Sequence, residues 1–359
     1  MARPSSRRRS QVPEKLRRSS TLSLYWEREG LICEDYLTHE RAALTPDLVD
    51  LLERFSKPTD PDRVIRGMDE KPAQVRQAIR QLQALGYLKR REDPAETRLA
   101  RWHWGHAAKQ YLLGTKDAHQ FLPRPQRLAY AKVLLKKSRQ PALYKSYPKR
   151  PQIRLEKPAA YASESNSTLA RVRNTRDFSG RPISRRDLNE ILMLAWGEHG
   201  KLQAEPWGPL LEKTSYSGGN RHPVEVYLVV VAVDGLKSGL YHYNVKNHAL
   251  ELMKAGDFSA TAKRIGNRQE WIRGAAVHFL MTGVFARTMF KYRHEYVSRT
   301  VFCDVGHLSQ SMYLAATGLG LGACTTYALN HSLAEKFLGL DGVDESFLSL
   351  SMVGAPRVH

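Results

Sequence analysis

The chain has 359 residues, 42% apolar, 26% charged and 9% aromatic, a globular composition long enough for two or three domains and unlike a disordered chain, a collagen or a peptide scaffold. Its net charge of +20 is unevenly placed, with +6 in residues 1–20 and +10 in residues 124–155, so the remainder is nearly neutral. Cys33, Cys303 and Cys324 lack the close pairing of a zinc site or disulfide framework, and no apolar run suits a membrane span or secretion signal, so a cytoplasmic protein is expected.

Residues 1–20 hold too little apolar area to offset the entropy of ordering and read as a disordered basic arm. Residues 21–95 read as a small helical domain with a strand-like edge. Thr45-Pro46 supplies an N-cap and a first-turn proline for a helix through about Phe55. Pro72 starts another, in which Val75, Ile79, Leu82 and Leu85 recur at helical spacing and Gly86 is placed to end it. The charged turn Lys89-Arg90-Arg91-Glu92-Asp93 follows, and the order helix, link, helix, hairpin predicts a winged helix-turn-helix. Residues 96–165 read as a connector, helical and then Pro/Lys-rich, with Pro141, Pro148, Pro151 and Pro158 predicting extended chain.

From Leu169 onward helices and strands alternate. A helix is predicted over Arg185–Trp196, a strand buried on both faces over Val224–Val233, and a hairpin over Gly239–Met253 turning at Lys246-Asn247. A second buried strand is predicted over Ala275–Phe285, a helix over Val305–Thr317, and strands over Cys324–Leu329 and Phe347–Gly354. Hairpin connections among mixed elements give an α+β class.

Gly318-Leu319-Gly320-Leu321-Gly322 follows a helix and precedes a strand, the reverse of a nicotinamide Rossmann turn, so it reads first as a helix end needing positive φ. The histidines have no carboxylates at metal-centre spacing, and no metal site is expected. Three segments could carry chemistry. Arg171–Phe178 gathers arginines around Asn174 and Thr175, suited to a dianion or to a solvated turn. Ser215–Pro223 is a polar, glycine-bearing loop feeding a core strand, able to present backbone N–H groups to a ligand. Phe290–His294, with Arg299 and Asp304–Gln310, sets Lys291 beside Tyr292, a pair able to act as a base if the amine is neutral.

Several of these motifs occur together in the order and spacing of the SagB-type dehydrogenases, a branch of the nitroreductase-like flavoenzymes. They are Thr175-Arg176-Asp177-Phe178-Ser179, Ser217-Gly218-Gly219-Asn220-Arg221-His222-Pro223 with Glu225 and Tyr227, Gly239-Leu240-Tyr241-His242-Tyr243, Lys291-Tyr292-Arg293, and Asp304–Gln310 with Gly320-Leu321-Gly322. The chain resembles that family over residues 166–359, and its N-terminal part resembles the winged-helix peptide-binding element found beside enzymes that mature ribosomally made peptides. The resemblance implies a nitroreductase-like FMN domain acting as a homodimer on a precursor peptide, typically oxidising thiazoline or oxazoline rings to thiazoles or oxazoles. It implies Arg173, Asn174 and Arg176 at the FMN phosphate, Ser217, Gly218, Arg221, Arg299, Gly320 and Gly322 around the rest of the cofactor, and Lys291 and Tyr292 as catalytic residues. Val172 departs from the arginine that usually opens the phosphate motif, and Ser298 from a frequent tyrosine.

Two other functions fit parts of the pattern. One is an FMN reductase using NAD(P)H on a small or peptide substrate. The other is a winged-helix regulator binding DNA, against which stands the neutral charge of residues 21–123. Expected partners are the precursor peptide, a second copy of the chain and a cyclodehydratase or other maturation protein, with no membrane and no nucleic acid.

Overall fold

The computed structural model describes residues 14–28, 30–117, 124–137, 163–205 and 207–357. The chain divides into two compact units, Met1–Lys116 with Met289–Tyr296, and Asp117–Thr288 with Val297–His359.

The first unit runs β1 (Leu16–Arg18), β2 (Leu22–Glu27), β3 (Gly30–Asp35), β4 (Glu40–Ala43), α1 (Pro46–Glu53), α2 (Pro61–Arg66), α3 (Pro72–Ala84), β5 (Leu88–Arg90), α4 (Pro94–Leu99) and α5 (His106–Gly114). Strands β2, β3 and β4 form an antiparallel meander. Val75, Ile79 and Leu82 of α3 pack into a core with Phe55, Val64, Tyr87 and Leu88, and Gly86 takes φ +73° just after the helix, as its position predicted.

Two expectations change here. The basic arm is not disordered throughout: Leu16 is buried in β1, which pairs with β5, and Ser19 and Thr21 share a buried hydroxyl contact of 2.6 Å. Residues 1–13 lie outside the described residues. The predicted wing is also absent among the described residues, because β5 pairs back to β1 and Asp93, accepting from the Glu96 N–H at 3.1 Å, caps α4 where the hairpin would continue.

The second unit runs α6 (Arg124–Lys137), α7 (Glu164–Arg171), α8 (Arg185–Trp196), β6 (Gly200–Ala204), β7 (Gly208–Glu212), β8 (Val224–Val230), β9 (Gly239–Asn244), β10 (Ala249–Ala255), α9 (Ser259–Ile265), β11 (Val277–Val284), α10 (Phe285–Lys291), α11 (Ser298–Gly318), β12 (Gly322–Thr326), α12 (His331–Leu338) and β13 (Glu345–Gly354). Helix α10 carries the chain from this unit into Met289–Tyr296 of the first. The proline-rich part of the connector, 138–162, lies outside the described residues.

The central sheet has the order β10-β9-β8-β11-β13-β12, every pair antiparallel, so mixed helix and antiparallel sheet make the α+β class. Period-two alternation sends Phe279 and Leu280 of β11 to opposite faces. Trp196 of α8 stacks on Phe279, ring centroids 5.4 Å apart and planes within 4°, while Leu280 joins Ala262, Ile265, Ala334 and Leu338 of α9 and α12. Helix α11 packs on α8 and so lies on the Phe279 face. It begins at Ser298, seven residues before the predicted start, which places Arg299 in its first turn.

Candidate functional site

Helix α11 organises the motifs of the second unit, because loops from two distant stretches of chain bond to successive turns of it. Asp304 Oδ2 accepts from Ser217 Oγ at 2.6 Å, and His307 Nδ1 lies 3.1 Å from the Tyr216 carbonyl oxygen. Ser311 Oγ lies 2.7 Å from Ser215 Oγ, and the Tyr313 hydroxyl donates to Asn174 Oδ1 at 2.8 Å. Nine residues separate Asp304 from Tyr313, about 14 Å of helix rise. Nine residues are also about two and a half turns, so the glycine-bearing loop bonds one face of α11 and the arginine-bearing segment bonds the opposite face further along the helix. Gly306 stands about two turns before Tyr313 on the same face, and a Cβ there would meet nothing within 4 Å.

The arginine-bearing segment is fixed by the sheet. β12 is an edge strand, and Asn174 and Thr175 cover it: Thr175 N–H donates to the Ala323 carbonyl at 2.8 Å. Gly322 makes this approach possible, since a Cβ there would sit 2.5–2.9 Å from Thr175 side-chain atoms. Gly320 has φ +70°, as the helix-end reading of the glycine run predicted. The three expected phosphate ligands have different surroundings. Arg173 is exposed and donates to the carbonyls of Ala170 and Val172 at 2.9 and 2.8 Å. Asn174 faces Tyr313, while the Arg176 guanidinium lies 5.3 Å from the Trp271 ring centroid. Arg176 lines a cleft of about 360 Å³ with Trp271, Arg273 and Arg357.

The loop before β8 is held in a strained form. Gly219, Asn220 and His222 have φ of +62°, +53° and +43°, and the last two have no glycine to ease them. Ser217 Oγ accepts from His222 N–H at 2.9 Å, and Arg287 Nη1 donates to the His222 carbonyl at 3.0 Å. The Arg287 carbonyl accepts from Arg221 Nε at 3.1 Å, and Arg287 also ion-pairs with Glu225. Glu225 in turn faces His242 Nε2 at 3.3 Å. Burial, reinforced by Lys213, pushes His222 down to about 4, and burial pushes Lys213 down to about 8. Asp304 is 4% exposed, burial raises its carboxyl above the ordinary range, and its Oδ1 has no hydrogen bond among the described residues.

Lys291 and Tyr292 belong to the first unit. Both are half-buried, with the Lys291 ammonium nitrogen 5.2 Å from the Tyr292 ring centroid. Trp104 Nε1–H donates to the Tyr292 carbonyl at 3.0 Å, and Glu295 Oε2 accepts from Ala108 N–H at 3.2 Å in the first turn of α5. The structure thus gathers Ser217, Gly218, Asn174, Gly322 and Arg221 around α11, β12 and α10 of one unit, and gives Lys291 and Tyr292 their support in the other. The motif reading missed Tyr313, Ser311, Arg287, Arg273 and Arg357. A signal for Ser311 was visible: with Asp304 and His307 it falls at i, i+3 and i+7, a polar stripe on a helix.

Comparison with known proteins gives a match to the family model described as "Nitroreductase family" over residues 169–355, more than half of the chain. The trifolitoxin-processing protein TfxB of Rhizobium leguminosarum bv. trifolii is 33% identical over 173 residues, 47% of this chain and 43% of that protein. The trifolitoxin operon protein TfxC of the same organism is 29% identical over 103 residues, 29% of each chain. The chain therefore spans less than half the length of either. Among solved structures, the E. coli microcin synthetase McbBCD complex with truncated pro-MccB17 bound matches at 19% identity and a TM-score of 0.45, covering 66% of this chain and 83% of that one.

Proposed function

The chain belongs to the nitroreductase family, and on that premise we propose that it is an FMN-dependent oxidoreductase that oxidises thiazoline or oxazoline rings in a ribosomally made precursor peptide. The observation that carries the cofactor reading is that both motif segments bond to the one helix α11, the glycine loop at Asp304 and the arginine segment at Tyr313, with the bare Gly306 on the Tyr313 face. Its donors suit this group: guanidinium groups and an amide for a phosphate, and backbone N–H groups of a glycine loop for the edge of a flat ring system. Arg173, Asn174 and Arg176 would hold the phosphate, with Ser217, Gly218, Arg221, Arg299, Gly320 and Gly322 around the remainder. The trifolitoxin-processing relative supports a peptide substrate.

When bound, FMN supplies a two-electron acceptor for the second hydrogen that an azoline gives up on becoming aromatic. Lys291 or Tyr292 takes the first, the Cα proton, which the adjacent C=N makes acidic. Asp304 and Arg287 keep the glycine loop in its strained form, so that its N–H groups are set before a ligand arrives. The N-terminal unit recruits the peptide; its edge strands β2 and β4 expose backbone groups to which an extended segment can add. A second copy of the chain and a cyclodehydratase or other maturation protein complete the proposed assembly.

The test is the mass of a precursor peptide co-expressed with the protein and its maturation partners. Loss of two hydrogens per ring, with yellow protein, supports the proposal. Lys291→Ala should keep the flavin absorbance and abolish that loss; unchanged turnover removes Lys291 from the mechanism. Bleaching of the flavin by NAD(P)H with no change in peptide mass would favour a reductase.

A further inference from the structure

On the α9 side of the sheet, opposite α11, a cavity of about 300 Å³ opens between α9, the turn Glu270–Ile272 and the adjoining ends of β8 and β11. Its walls are apolar, from Val231, Ile272 and Ala275, and its polar groups are few. His278 is one of them and is 2% exposed. Its Nε2 lies 3.3 Å from the Ile272 carbonyl oxygen, which can only accept, and the tautomer protonated on Nε2 makes that bond. Nδ1 is then a lone-pair acceptor, buried and without a hydrogen bond among the described residues. Buried polar atoms in this state are few in folded proteins and ask for an occupant.

The other polar side chains lining the cavity are Ser259 and two cations, Lys263 and Arg273. Lys263 bonds Glu270 at 2.7 Å, and Arg273 lies 4.0 Å from the second oxygen of the same carboxylate. Two cations share one anion, a surplus of one positive charge at this wall, while the Asp257 carboxylate acts on His278. A volume of about 300 Å³ stands at the small end of ligand sites, enough for a single ring with substituents and too small for a dinucleotide. The occupant therefore needs an anionic end, a compact apolar body and one hydrogen-bond donor.

We propose that this cavity binds a small aromatic hydroxy-carboxylate, its carboxylate held by Lys263 and Arg273 and its hydroxyl donating to His278 Nδ1. Arg273 also lines the cleft with Arg176, whereas Lys263 and His278 have no part in the proposed FMN or peptide function, so the site is tested at those two.

Isothermal titration of the full-length protein with 4-hydroxybenzoate, benzoate and 4-hydroxybenzyl alcohol tests it. We expect saturable binding of 4-hydroxybenzoate, one per chain, with the two analogues about tenfold weaker or worse because each lacks one anchor. Lys263→Met, on a partly exposed side chain and compatible with folding, should weaken 4-hydroxybenzoate by a similar factor. His278→Phe should make 4-hydroxybenzoate and benzoate bind alike. Absence of saturable 4-hydroxybenzoate binding, equal affinity for all three probes in the wild-type protein, or an unchanged affinity in Lys263→Met overturns the proposal.

Discussion

Trp104 Nε1–H donates to the Tyr292 carbonyl across 3.0 Å of space and 188 residues of sequence. Trp104 is only 1% exposed, so the bond is shielded from competing water. It fixes the backbone of the residue next to Lys291. Trp104→Phe keeps the ring and removes the donor, leaving that carbonyl unmet. We expect a loss of about 1–3 kcal/mol in the stability of the N-terminal unit. Peptide turnover should fall at least tenfold with flavin content unchanged, as read by thermal melting, visible absorbance and peptide mass.

Gly322→Ala places a Cβ 2.5 Å from Thr175 Cγ2 and pushes the arginine segment off the edge of β12. The expected cost is about 1–3 kcal/mol by urea denaturation, together with loss of FMN on gel filtration. Thr175→Gly in the same chain removes the obstructing side chain and should restore part of both. Equal flavin retention in Gly322→Ala and wild type would uncouple the arginine segment from the cofactor.

Acid should weaken the second unit through two buried imidazoles. His222 and His278 are each pushed down to about 4 by burial, whereas an unfolded histidine titrates near 6.5. The unfolded chain therefore binds more protons between these values. The stability is fully present above the unfolded pKa and is lost as the pH falls from about 6.5 toward 4, with a slope approaching about 2.7 kcal/mol per pH unit for two sites. Asp304, raised by burial, runs the other way and favours the fold at the acid end. Urea midpoints measured across this range should show the decline, and His222→Gln should reduce the slope by about one proton.

Arg287→Ala should be among the costliest changes on α10. It removes an ion pair from Glu225, whose side chain is 15% exposed, and a donor from the His222 carbonyl. The expected loss is about 1–3 kcal/mol, since the Arg287 side chain is 42% exposed and His242 remains beside Glu225. Glu225→Gln in the Arg287→Ala background should recover a measurable part. A double-mutant cycle with no coupling between the two positions would refute the bond as a structural link.

The parts of the fold that were legible in the sequence are those set by local chemistry. Helix α8 starts and stops where its pattern said, because Ser184 caps the Asp187 N–H and the stripe of Leu188, Ile191, Leu192 and Ala195 lies within one helix. The buried runs in β8 and β11 and the turn at Lys246-Asn247 announce themselves in the same way. The hairpin of β6 and β7 carries no such pattern, since most of its residues are solvent-exposed or only half-buried. β1 is three residues long and exists only because β5, some seventy positions later, supplies its partner. The same division holds at the site. Ser217, Asn174 and Gly322 stand in readable motifs, whereas Tyr313 and Arg287 gain their roles from packing between segments that are distant in sequence.

The discontinuous boundary of the N-terminal unit limits how this protein can be taken apart. Because Met289–Tyr296 folds with the first 116 residues, trimming the chain to its family-matched portion would strand the lysine–tyrosine segment away from Trp104 and the α5 terminus. A replacement for the N-terminal unit would have to bring its own indole and helix end to the same stretch. If the N-terminal unit captures substrate as proposed, exchanging it for a new specificity means rebuilding the anchor of the lysine–tyrosine segment as well.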